Sequence, residues 1–254
     1  MNKQQKIELL ASIFETFNKH EVPLWLESGL LLGFVRNRDF IPWDTDFDLG
    51  TSSKYIAKIK DLSNDLVKKG FSVYYSDLNN ILGVWSDGWS IDIPFWRLQE
   101  NHAIMPLRYA SNIFGRFLYY IDWMLLTTPM STILVDKKNK LKFPFLRNTL
   151  CSLSSKIPNT LKIKIALTLR RIAILTNQKR GLVKTPRTFF ENNVSVDFNG
   201  ITVLVPKDSE GYVEYIYGPN WRTPIKDFSY QNAGNEIRNS EVFGETWEYV
   251  PYFK

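Results

Sequence analysis

A chain of 254 residues with 44% hydrophobic and 15% aromatic content is long enough for one sizeable α/β domain, or a domain carrying an insertion, and too apolar for global disorder. Its single cysteine, Cys151, excludes an intrachain disulfide framework and a cysteine-rich zinc site, which fits a reducing compartment. The net charge of +6 and pI near 9.2 leave a positive surface suited to nucleic acid, anionic lipid or a phosphorylated substrate.

Residues 1–10 are polar and lack the apolar stretch of a signal peptide. No window reaches the about 20 uncharged apolar residues that span a bilayer. The strongest attempt, residues 117–126, is short and contains Asp122, so the chain is expected to be soluble or peripheral.

Ile7, Leu10, Ile13, Phe14 and Phe17 form a helical stripe over residues 3–20, which Val22 and Pro23 break. Leu24-Trp25-Leu26 reads as a short buried strand, and Ser28-Gly29 turns it into a helix running to about Arg36. A polar turn at residues 37–39 leads to an acidic strand around residues 44–48. Residues 54–69 read as a helix stopped by Gly70, and residues 71–75 as a strand. Residues 81–85 and 89–96 read as two strands joined by a turn at Ser86-Asp87-Gly88.

Residues 98–187 differ in composition. Lysines cluster at 137–142, and a basic stretch at 162–171 carries Leu161, Ile165, Leu169 and Ile172 near helical spacing. This stretch is expected to be a helical, basic insertion. Alternating apolar residues on either side of Asn199-Gly200 predict a hairpin. A helix follows from about Asp208, capped by Asp208 or Ser209 and ended by Gly218. Residues 220–254 are aromatic and irregular. The expected organisation is an α/β (α+β) mixed sheet flanked by helices: a core at 1–97, the insertion at 98–187, and a C-terminal part at 188–254 that packs on the core.

Chemistry concentrates in the acidic strand. In an extended chain Asp44, Asp46 and Asp48 point one way, and Thr45, Phe47 and Leu49 the other. Carboxylates crowded on one face repel unless a cation sits among them, and hard oxygen ligands suit Mg²⁺ or Mn²⁺. Paired aspartates on a solvated loop are the commoner occurrence, but three features argue otherwise here. The alternating Phe47 and Leu49 half-bury the strand, and buried carboxylates need partners. A further acid, Asp92, interrupts the apolar strand at Ile91 and Ile93. A glycine-opened helix stands just upstream, its free N–H groups forming an anion site.

Such a layout is that of a nucleotidyltransferase-type palm, in which side chains about 6–7 Å apart along a strand share one cation. Ser28 and Gly29 are the candidates for phosphate contact, with Gly33 structural. Arg36 either meets phosphate, pairs with Asp44, or is an ordinary surface arginine. Asp44 binds metal, orients Arg36 or caps locally; Asp46 and Asp48 are the firmer metal ligands. His20 and His102 are isolated, Cys151 reads as an incidental thiol, and Trp221 reads as core. The P-loop, the dinucleotide-binding glycine pattern and the nucleophile elbow are absent.

Leu24-Trp25-Leu26-Glu27-Ser28-Gly29-Leu30-Leu31-Leu32-Gly33-Phe34-Val35-Arg36-Asn37-Arg38-Asp39-Phe40-Ile41-Pro42-Trp43-Asp44-Thr45-Asp46-Phe47-Asp48 strongly resembles the signature of the LicD/fukutin family, phosphotransferases with a nucleotidyltransferase fold. The resemblance resumes at residues 91–95, 198–206 and 217–224, and is loose through the basic middle. It departs at Ser28-Gly29-Leu30, where the family often has Gly-Gly-Thr or Gly-Gly-Ser, and at Thr45, where many bacterial members have aspartate.

The resemblance implies transfer of a phospho-alcohol, such as phosphocholine or ribitol phosphate, from a CDP-linked donor to a sugar hydroxyl with release of CMP. It implies Asp46 and Asp48 as metal ligands and Asp92 as a third ligand or the general base. The expected acceptor is a cell-surface glycan: a polysaccharide, glycolipid or lipopolysaccharide. The expected location is cytoplasmic, with the basic insertion offering peripheral contact with the inner face of the membrane, and no nucleic-acid partner is expected. Two alternatives stand beside this: a nucleotidyltransferase acting on a small molecule or RNA, and a non-catalytic binding module of the same fold.

Overall fold

The computed structural model describes residues 1–76, 81–86, 88–107 and 181–226, with short stretches at 113–114, 117–118, 121, 127–129, 156–158, 161, 164–165, 168–169, 172, 228 and 241–242. Helix α1 (Lys3–Lys19) opens with a reciprocal capping box between Asn2 and Gln5, and buries Leu10, Ile13, Phe14 and Phe17. Strand β1 (Trp25–Leu26) runs through Glu27 into α2 (Ser28–Asn37), which ends at Arg38 in the left-handed region. Strand β2 (Asp46–Ser52) carries the acids. Residues 54–69 are not one helix: a 3-10 segment (Ser53–Lys58), opened by the Ser52 hydroxyl, precedes α3 (Ile59–Lys68).

Strands β3 (Ser72–Ser76), β4 (Ile81–Ser86) and β5 (Trp89–Leu98) follow. Then come β6 (His102–Leu107), β7 (Thr127–Pro129), β8 (Gly181–Pro186), α4 (Thr188–Glu191), β9 (Asn193–Phe198), β10 (Ile201–Pro206), α5 (Ser209–Tyr217) and β11 (Glu241–Val242).

The strands join in one mixed sheet with the order β11-β8-β6-β5-β2-β1-β10-β9; β4 also pairs with β5, and β3 links β4 to β7. The β2–β5 and β1–β10 pairings are parallel and the others antiparallel. This is the mixed α/β architecture expected, with helices packed on the sheet. The stretch 98–187, expected to be helical, contributes β6, β7 and β8 to that sheet. The described residues 161, 164–165, 168–169 and 172 are helical, while the lysines at 137–142, Asp122, Cys151, Asp87 and most of the C-terminal tail lie outside the described residues. Among the described residues no helix is long and apolar enough to cross a membrane.

Two local features fix the geometry around the acids. Asn199 and Gly200, with φ of 56° and 83°, make the tight hairpin between β9 and β10. On β2, Phe47 points into the core, its ring 5.4 Å from Phe40 and 5.2 Å from Trp89, while Leu49 is fully buried. Burying these two apolar side chains locks the pleat, so Asp46 and Asp48 emerge on the opposite face.

Candidate active site

β5 lies parallel to β2 with Asp48 directly opposite Asp92 and Asp46 opposite Ser90, so Asp92 emerges on the same face as the two β2 acids. On its other side Asp92 faces Gly83 of β4, which has no side chain to crowd it. Asp44 precedes the strand, with its backbone N–H bonded to the Ile41 carbonyl; it is not the first member of a continuous acidic strand. It reaches the same place nonetheless. Gly29, Arg36, Asp44, Asp46, Asp48 and Asp92 all line one cavity of about 480 Å³. Ser28 is not among the lining residues; it stands at the mouth of α2 with φ of 42°, a left-handed conformation that glycine adopts without strain.

Gly29 shows why the helix begins where it does. Its N–H donates to Asp48 Oδ2 at 3.4 Å, and a Cβ built on it would stand 2.7 Å from Asp44 Oδ2 and 3.7 Å from Asp48 Oδ2. A side chain there would have to displace the Asp44 carboxylate from the helix mouth, while Asp48 would remain at ordinary contact distance. Gly33 has a packing role, because a Cβ there would meet the Asp39 carbonyl at 2.6 Å. The strand-to-helix turn is held from behind by Glu27, which is buried and accepts hydrogen bonds from Trp25 Nε1 at 2.7 Å and from the Tyr212 hydroxyl of α5. Sequence reading passed over Glu27, and its signal was an acid inside an apolar strand-to-helix junction, the same signal that marked Asp92.

Electrostatically the acids oppose one another. Burial pushes the Asp48 carboxyl well above the ordinary carboxylate range, and the charges of Asp46, Asp92 and Asp44 add to the effect, against the pull of the Gly29 N–H. Asp44 is pushed up to about 7 by burial, by a hydrogen bond with Asp46 and by its charge; the Thr45 N–H and Lys6 act the other way. Lys6 of α1 is the nearby cation, with its ammonium 4.4 Å from the Trp89 ring. An all-oxygen donor set that raises its own protonation is the chemistry a divalent cation would relieve. As the side chains stand, no group of three acids, histidines or cysteines among the described residues is posed to grip one ion. The fit is therefore one of donor type and shared face, not of finished coordination.

The remaining wall is contributed by the C-terminal part. Tyr217, Asn220, Trp221, Thr223 and Lys226 line the same cavity as the acids, as does Trp43. Arg36 does not pair with Asp44: its Nε donates to Asn37 Oδ1 at 2.9 Å, and burial pushes its guanidinium below the usual range. Trp221, expected to be core, is indeed buried, yet it also lines the cavity.

Residues 21–110 match the family described as LicD/FKTN/FKRP, nucleotidyltransferase domain, in agreement with the resemblance read from the motif. An uncharacterized protein of Rickettsia prowazekii (strain Madrid E) is 31% identical over 74 residues, 29% of this chain and 28% of that protein. The human ribitol-5-phosphate transferase FKTN is 40% identical over 60 residues, 24% of this chain and 12% of that protein. These matches span less than a third of the relatives' own length. Among solved structures, the antibiotic-resistance factor ANT(2'')-Ia is similar at a TM-score of 0.34 and 14% identity, covering 69% of this chain and 97% of that one.

Proposed function

We propose that this chain is a divalent-metal-dependent phosphotransferase that moves a phospho-alcohol from a CDP-activated donor to a sugar hydroxyl of a cell-surface glycan. The observation that carries this reading is the register of β2 and β5, which sets Asp48 opposite Asp92 on the face that also bears Asp46. Support comes from the family match over residues 21–110 and from the human ribitol-5-phosphate transferase among the relatives. CDP-linked donors are cytoplasmic compounds, and we assign the reaction to that side of the membrane.

In this mechanism Asp46 and Asp48 would hold Mg²⁺ or Mn²⁺, with Asp92 as the third ligand or as the base. The bound cation would offset charge on the phosphoryl oxygens and on the departing group. The acceptor's hydroxyl oxygen bonds to the donor's phosphorus adjoining the alcohol, the P–O bond to CMP breaks, and CMP leaves. Where Asp92 acts as base, the hydroxyl proton passes to its carboxylate. Gly29, with its N–H at the helix mouth, approaches the phosphate without a side chain between them.

The test is CMP release from a panel of CDP-alcohols in the presence of Mg²⁺ or Mn²⁺ and a glycan acceptor. Asp46→Asn is expected to keep the fold by circular dichroism and to lower turnover by about a thousandfold or more, on the order of several kcal/mol of barrier. Retained turnover in that variant removes the site assignment. Pyrophosphate released from a nucleoside triphosphate, in place of CMP, identifies a nucleotidyltransferase instead.

A further inference from the structure

The cavity has a second wall whose chemistry is opposite to that of the aspartates. Arg36 and Trp221 both line it, and each carries a side-chain nitrogen, Nη2 of Arg36 and Nε1 of Trp221, that is buried with no hydrogen-bond partner among the described residues. Trp221 is only 4% exposed. A buried donor left unmade costs about 1–3 kcal/mol, and more where the group is charged, so such atoms persist where something else completes them. Both groups donate and neither can accept, which limits the partner to an acceptor. Four aspartates line the same cavity, yet among the described residues the Arg36 guanidinium forms no ion pair with one; its Nε bonds to Asn37.

We infer that Arg36 and Trp221 together form an anion seat for the phosphoryl oxygens of a nucleoside diphosphate ester, in the cavity that the acids also line. Trp221 becomes a binding residue through its indole N–H, not through its ring face, which the Arg222 guanidinium covers at 4.2 Å. The two donors would hold phosphoryl oxygens by hydrogen bonds, complementing the charge that a cation held by the acids would supply. The seat also brings the segment after α5 into the site: Trp221 follows the helix end at Gly218, with its backbone N–H bonded to the Gly218 carbonyl at 3.2 Å. This inference rests on reading the cavity as a phosphotransfer site.

The experiment measures CDP affinity in the presence of Mg²⁺ by calorimetry for the wild type, Trp221→Phe, Arg36→Gln and Trp96→Phe. Phenylalanine keeps an aromatic ring and deletes the N–H. Trp96 also has a buried, unpartnered indole nitrogen but is not among the residues lining this cavity, so it serves as the control. Trp221→Phe is expected to weaken CDP about tenfold and Arg36→Gln about tenfold or more, with Trp96→Phe unchanged. Inorganic pyrophosphate is expected to show the same losses, whereas any binding of phosphate-free cytidine is expected to show none. In the ¹⁵N-labelled wild type, the Trp221 indole resonance is expected to shift on adding CDP, a readout that does not depend on any variant folding.

Unchanged CDP affinity in Trp221→Phe, or an indole resonance that stays fixed at saturating CDP because water already satisfies it, overturns the inference while leaving the phosphotransferase reading standing. A wild type that binds no CDP and releases no CMP removes the reading beneath it.

Discussion

Asp48 carries the strongest conflict in the described part of the molecule. Its carboxyl is raised by burial and by three neighbouring acids, so as a carboxylate it works against the folded state. Replacing it with asparagine keeps the shape and removes the charge. We expect Asp48→Asn to lose turnover yet to melt higher than wild type in EDTA at pH 8, by about 1 kcal/mol or roughly 2–4 °C. Differential scanning calorimetry checks it, and a lower melting temperature contradicts the picture of mutual repulsion. Asp46, Asp48 and Asp92 were all visible in the sequence, because an acid that alternates with apolar residues has to be explained. The bonds that Glu27 accepts and the buried nitrogen of Trp221, unpartnered among the described residues, were not visible. A tryptophan buried by its ring and available at its nitrogen looks, in one dimension, like any core residue.

Between elements, the contact least visible from sequence is the one that ties α3 to the end of α1. His20 looked isolated, but Asp65, 45 positions on, lies 3.0 Å from its Nε2 and 2.6 Å from Lys19 Nζ. Hydrogen bonds from Lys19, His20 and Lys68 hold the Asp65 carboxyl well below the ordinary range. A depressed carboxyl contributes stability above its unfolded value of 3.8 and loses that contribution as pH falls through the lower folded value. Asp65→Asn is therefore expected to lower the melting temperature at pH 7, with the difference from wild type shrinking steadily below pH 3.8. An equal deficit at pH 7 and pH 2 contradicts this. The same blindness to distance explains the elements within 98–187. β6 pairs with β8, whose residues lie some way along the chain; neither has the alternating pattern of an amphipathic strand, and each contains a proline, so the stretch reads from sequence as a helical insertion instead. The Asn199-Gly200 hairpin was legible because its whole signal is local.

Over the whole molecule a net charge of +6 coexists with a cavity lined by four aspartates. Relief of that local repulsion should be felt globally, because Asp46, Asp48 and Asp92 stand on β2 and β5 in the interior of the sheet order. Mn²⁺ at a hundredfold excess over its Kd is expected to stabilise the fold by about 2.7 kcal/mol, raising the melting temperature by roughly 5–10 °C. The shift should disappear in Asp46→Asn. An equal shift in that variant assigns the ion to another place. Because β1 and β10 are parallel neighbours, the C-terminal hairpin belongs to the same sheet as the acids, and with α5 it carries the donor wall to the cavity.

The pairing of Asp48 with Asp92 has a consequence for how this protein tolerates change. Successive strand residues face opposite ways, so inserting or deleting one residue between Trp89 and Asp92 would carry the acid to the side where Phe47 and Trp89 pack, and present isoleucine to the cavity. If the cavity is the phosphotransfer site proposed here, spacing along β5 becomes a parameter of its activity. Lineages that lengthen this protein should do so in its loops, and leave the count within this short run untouched.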